Sequence, residues 1–125
     1  MKNANTLLKI VAVLGAVAIV LAAIGAHSVF KEKYPSWATA VQYHFIHTLV
    51  LLALYVLALQ NGLTTALKVS VYLFLLGLFL FSGSIYFLGI RLLYEFDAGA
   101  FVGKLTPIGG ITLILAWLSL LFYKK

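Results

Sequence analysis

The chain has no cysteine, three acidic residues and two prolines in 125 residues. Without thiols there is no disulfide, no thiolate nucleophile and no cysteine metal site, and the redox compartment is left open. The three acids, Glu32, Glu95 and Asp97, all fall in short stretches between long apolar runs. No carboxylate therefore lies within a run to orient a histidine or complete a metal shell. Nine Lys and Arg leave a net charge of +6. No basic run interleaves with exposed aromatics, so this excess points to anionic lipid and to orientation across a membrane, not to nucleic acid.

Hydrocarbon is what the sequence has in quantity. Hydrophobic side chains make up 64% of it and the mean hydropathy is +1.11, whereas an ordinary soluble domain is ~45–50% apolar. The chain reads as an integral membrane protein. Its apolar runs predict helices over 6–26, 35–60, 68–91 and 106–123, each close to the ~20 residues a bilayer crossing needs. The first run is too long for the ~7–15-residue core of a signal peptide. No internal repeat or second domain is visible. The expected fold is all-α, a single domain over 1–125 built as an antiparallel four-transmembrane-helix bundle.

Each predicted helix carries a small or polar stripe. On the first, Gly15, Ala18, Ala22, Gly25 and Ala26 share a face suited to close backbone approach. The second places Ala40, His44, His47, Leu51, Tyr55 and Ala58 on one stripe, with Gln42, Ala53 and Gln60 on the other side. On the third, Ser70, Gly77, Ser84 and Arg91 recur every seven residues, and Ser82 is turned well away from them. Thr106-Pro107 predicts an N-cap and a first helical proline, followed by the stripe Gly109, Thr112, Ala116, Ser119 and Tyr123.

Antiparallel connectivity brings His27, His44, His47, Ser84, Arg91, Thr106 and Gly109 into one leaflet as a candidate polar pocket. The opposite half, around Leu14, Leu57, Phe74 and Leu115, is expected to be almost uniformly aliphatic or aromatic. Polar groups cost free energy in hydrocarbon unless paired, so their convergence has a packing explanation as well as a functional one. His44 and His47, with His27 as a third nitrogen, form an alternative metal or haem ligand set; the plainer reading has each imidazole bonded to a neighbouring helix. Ser84 beside His44 suggests a nucleophile and base but lacks an orienting acid, and a serine next to glycine commonly serves close packing. Arg91 either snorkels to the interface or closes the pocket with His27 and Glu95. The helix start at Thr106 to Gly110 is a packing site and also a possible anion seat.

The blocks IGAH (24–27), YHFIH (43–47), FSGSIY (81–86) and LTPIGG (105–110), in this order across four apolar spans, resemble the domain of unknown function 423 family, to which transmembrane protein 256 is related. The resemblance runs over essentially the whole chain, and the sequence departs from it in a longer, more acidic stretch over 91–104. It implies a small multi-pass protein of bacterial plasma membranes, with organellar relatives, and it assigns no activity.

The functional expectation is a non-enzymatic accessory, assembly or lipid-interacting component without a cofactor. Its partners would be the bilayer and other membrane proteins or further copies of itself. The alternatives are an oligomeric carrier or channel for a small solute or proton, with His44 and His47 as relay, and a haem or metal protein. Lys2, Lys9, Lys68, Lys124 and Lys125 on the terminal side against Lys31, Lys33, Arg91 and Lys104 on the other favour cytoplasmic termini.

Overall fold

The structure, a computed structural model, describes residues 3–26, 35–94 and 99–124. Its elements are α1 (Ala4–Ala26), α2 (Ser36–Asn61), α3 (Thr65–Leu78), a π-helical turn (Phe79–Gly83), α4 (Ser84–Tyr94), α5 (Gly99–Gly103), α6 (Leu105–Ser119) and a 3-10 turn (Leu120–Phe122). Helices α1 and α2 form two spans; α3, the π turn and α4 run on as a third over Thr65–Ile90, and a fourth covers Phe101–Phe122. All four are long and apolar enough to cross a membrane.

Helix ends follow local chemistry. Asn3 accepts the Thr6 amide at 3.1 Å and caps α1. Gly62 takes φ 75°, which a residue without Cβ adopts at low cost, and its N–H closes α2 on the Ala58 carbonyl at 2.8 Å. Thr64 then caps α3 by accepting from the Leu67 amide at 3.2 Å. The third helix thus begins at Thr65, three residues before the expected start at Lys68, because the threonine side chain satisfies an end that sequence hydrophobicity does not mark.

The spans pack as two antiparallel hairpins, α1 against α2 and α3 against α6, joined where α2 meets the third span. In the half of the molecule nearer the termini, Leu7, Val11, Leu54, Leu67, Phe74 and Leu113 interlock as the core. The outward surface is also apolar, with Val13, Ile19, Phe79, Ile111 and Leu121 exposed. Lipid tails are as apolar as these side chains, so the hydrophobic effect does not drive one helix onto another; close packing and interhelical hydrogen bonds must.

Close packing is concentrated at three glycines. A methyl on Gly109 would overlap the Phe81 backbone in the π turn, one on Gly77 would meet Leu113 at 2.8 Å, and one on Gly25 would stand 2.5 Å from the Trp37 indole. The small face of α1 is narrower than its sequence suggests: Ala18 and Gly25 are buried, whereas Ala22 and Ala26 face outward. Its buried line runs through Val11, Ala18 and Gly25, a spacing of seven that suits a left-handed crossing with α2.

Candidate functional site

The second span presents Ala40, His44, His47, Leu51 and Ala58 to the interior, and the two histidines are 4% and 5% exposed. Three residues apart, they share the buried face yet reach different neighbours. His44 Nδ1 lies 2.9 Å from the Tyr86 hydroxyl on α4. His47 accepts from the Trp117 indole N–H at Nε2, across 3.2 Å, and its Nδ1 meets the Tyr43 carbonyl at 2.7 Å.

Those partners fix one tautomer and leave the other open. Indole N–H is a donor only and a carbonyl is an acceptor only, so His47 carries its proton on Nδ1 and is neutral in this arrangement. Tyr86 can donate or accept, so its bond places no such restriction on His44. Among the described residues the two rings share no hydrogen-bond partner. Among the described residues, no three His, Cys, Asp or Glu side chains are grouped to hold a metal ion. His27, the third nitrogen of the alternative ligand set, lies outside the described residues, as do Glu95 and the side chain of Arg91.

Ser84 is buried and bonds to the Phe81 carbonyl at 2.8 Å and to the Thr106 hydroxyl at 2.5 Å. It does not meet His44, and the nucleophile-and-base pairing has no geometry here. Thr106 is not an N-cap. Helix α6 starts at Leu105 without a side-chain cap, and the Thr106 hydroxyl reaches across to Ser84. Pro107, in the first turn, lacks an N–H that would have no intrahelical partner there in any case. Gly109 lies against the π-turn backbone, so the conformation that invited an anion reading serves helix contact.

The π turn explains Ser82. It lies on the side of the helix away from Ser84, as its spacing predicts, yet that side is buried too, because the third span sits between α2 and α6. Its hydroxyl donates to the Ala40 carbonyl at 2.8 Å. The wide turn thus aims one serine at each neighbouring helix. Trp37, whose indole N–H donates to the Leu21 carbonyl at 2.8 Å, ties α2 to α1 and packs on Tyr86 with ring centroids 5.0 Å apart.

The half expected to be almost uniformly aliphatic or aromatic also holds polar bonds. Ser70 and Ser119 hydroxyls meet at 2.6 Å, and Asn61 donates to the Tyr123 hydroxyl at 2.8 Å. Tyr86, Trp117 and Trp37 are the participants that sequence reasoning missed. Their signal is an aromatic ring with an N–H or O–H tip placed in hydrocarbon, where that tip needs a partner.

Among the described residues, crevices open between the hairpins. One, of about 560 Å³, lies between the second and fourth spans and is lined by Gln42, Tyr43, Ile46, His47, Phe81 and Trp117 among others. The other, of about 200 Å³, lies between the first and third and is lined by Leu14, Val17, His44, Phe79, Ser82 and Tyr86 among others.

Fold and site define a small multi-pass membrane protein, four apolar spans stitched by buried side-chain hydrogen bonds. The chain belongs to the family described as protein of unknown function (DUF423), whose model matches residues 21–110. It is 34% identical over 122 residues to a UPF0382 membrane protein of Haemophilus influenzae, covering 94% of this chain and 92% of that one. It is 32% identical to the UPF0382 membrane protein YwdK of Bacillus subtilis, covering 90% and 94%. With the UPF0382 inner membrane protein YgdD of Escherichia coli it shares 34% identity, covering 88% and 82%. No solved structure matches significantly.

Proposed function

We propose that the protein is a non-enzymatic accessory or assembly component, acting through the membrane-embedded face formed by its second and fourth spans. The supporting observation is how its polar side chains are distributed. His47, Ser70, Ser82, Ser84 and Thr106 are engaged in hydrogen bonds within and between helices, while Gln42 stands exposed at the crevice between the second and fourth spans. An amide in hydrocarbon is costly unless paired. A polar residue on a helix of another membrane protein, lying in this crevice, would pair it while filling an apolar groove.

The bacterial relatives and the five-to-four basic balance support a plasma-membrane location with cytoplasmic termini. Photo-crosslinking residues placed at Ile46 and Ile114 in cells test the reading, with Val20, on the outer face of α1, as control. Expected is one and the same protein adduct at both test positions, absent at Val20 and lost when Gln42→Leu is combined with the probe at Ile46. Adducts to lipid alone would overturn the accessory role and favour a lipid-binding one.

A further inference from the structure

We propose that the lipid-facing stripe of α2 is a homodimer seam, along which a second copy of this chain lays the same helix in parallel and in register. This names the partner of the face described above and rests on the reading of that face as a protein contact.

The inference starts from one side of one helix. Gln42, Ile46, Leu49, Ala53, Val56 and Gln60 follow one another at alternating intervals of four and three residues and so share a narrow stripe. It lies opposite the buried line through Ala40, His44, Leu51 and Ala58, and each of its residues is exposed. A helix has such a stripe on every side; this one is singled out by its occupants. The adjacent stripe, Phe45, Leu52 and Leu59, is bulky hydrocarbon throughout and suits lipid tails. The first carries an amide at each end and a small residue between.

Depth makes one of those amides costly. The midpoint of α2 lies between Thr48 and Leu49, so Gln42 stands about 10 Å from the bilayer centre at the helical rise per residue, within a hydrocarbon layer ~30 Å thick. Among the described residues its side chain has no hydrogen-bond partner. Thr112 on the fourth span solves the same problem internally, by donating to the Ile108 carbonyl at 2.8 Å. Gln60, in the last turn of α2, is close enough to the interface for water and headgroups to satisfy it. The need for a partner falls on Gln42.

The chemistry of the amide selects that partner. It has two N–H donors and a carbonyl acceptor, so two of them facing each other exchange a reciprocal pair of hydrogen bonds. Copies inserted in the same orientation are related by a two-fold axis along the membrane normal, which holds equivalent residues at equal depth. A second copy therefore brings a matching amide to Gln42, whereas an unrelated helix has to carry a polar residue at that level. A polar residue on a seam also fixes register, and isoleucine at 46 followed by leucine at 49 is the alternation that favours two parallel strands. Ala53 lets the two backbones close near the middle of the seam. The larger crevice opens beside the seam at Gln42 and Ile46, so the second helix also shields it from lipid.

The chain has no cysteine, so single replacements report the contact directly. In native membrane vesicles, oxidation should cross-link Ile46→Cys, Leu49→Cys and Val56→Cys to a species at twice the 13.7 kDa chain mass. Leu52→Cys, Leu59→Cys and Val20→Cys, exposed but off the seam, should stay monomeric. By energy transfer between labelled copies in mixed micelles, Gln42→Leu should weaken association about three- to thirtyfold, the range that one hydrogen bond between membrane helices supplies. Gln42→Asn should retain part of it, and Ala53→Phe should abolish it. These side chains point away from the bundle, so thermal unfolding of the monomer should be unchanged in all three. Cross-linking of equal extent on and off the seam, or association unchanged by Gln42→Leu or by Ala53→Phe, overturns the proposal. A photo-adduct at Ile46 to a different protein overturns the second copy and leaves the docking face standing; adducts to lipid alone overturn both.

Discussion

The Trp117 indole N–H donates to His47 Nε2 across 3.2 Å and thereby commits the other ring nitrogen to the Tyr43 carbonyl at 2.7 Å. A single bond between the second and fourth spans sets both the tautomer and the rotation of a buried imidazole. Trp117 also meets Phe74 edge to face at 5.6 Å, so its contribution divides into a polar part and a packing part.

Replacing Trp117 by Phe keeps the aromatic contact and removes the donor. Hydrogen bonds between membrane helices are worth about 0.6–2 kcal/mol, so Trp117→Phe is expected to destabilise by about that amount. His47→Leu should cost somewhat more, since it also releases the indole. In a double-mutant cycle on unfolding in mixed micelles, the pair should couple by about 0.5 kcal/mol or more. Strictly additive costs would show that the bond does not contribute to stability.

Most of the fold could be read from the sequence, and the reason is physical: backbone groups in lipid must pair within a helix, so apolar length alone defines a span. The inward stripe of α2 was legible in the same way, because a face that carries histidines cannot turn to lipid. The partners of that stripe were not. Periodicity says which way His44 and His47 point but not which neighbour each meets, since this depends on the rotation of the other helices. The π turn at Phe79–Gly83 is the clearest case. A heptad reading runs straight through it and places Ser82 and Ser84 on opposite sides, but it gives no sign that both sides are interior. The N-cap of the fourth helix was misassigned for a local reason: Thr106-Pro107 has the composition of a helix start, but α6 already begins at Leu105 and an interhelical bond to Ser84 holds the threonine.

Asn61 and Tyr123 are bonded at 2.8 Å, which puts the turn between the second and third spans at the same end as the C-terminus. The absence of cysteine allows single replacements to be read without background. With the termini in the cytoplasm, a membrane-impermeant maleimide should label Ser36→Cys in intact cells, and Asn61→Cys and Lys124→Cys only after permeabilisation. The reverse pattern would invert the orientation. Labelling of Asn61→Cys and Lys124→Cys from opposite sides would contradict the antiparallel order.

Gly109 and Gly110 are neighbours with different surroundings. A Cβ on Gly109 would overlap backbone atoms of Phe81, which no rotamer change can relieve, whereas one on Gly110 would meet the Phe81 ring at an ordinary 3.8 Å. Alanine at Gly109 must therefore push α6 away from the π turn, and the nearby Ser84–Thr106 bond would stretch with it. Overpacking a close contact costs about 1–3 kcal/mol, and Gly109→Ala is expected to fall in that range. Gly110→Ala should be neutral or slightly stabilising, because alanine is the better helix former by roughly 1 kcal/mol. Midpoints of unfolding in mixed micelles separate the two. Equal effects from both substitutions would mean that the fourth span does not approach the π turn backbone-to-backbone at Gly109.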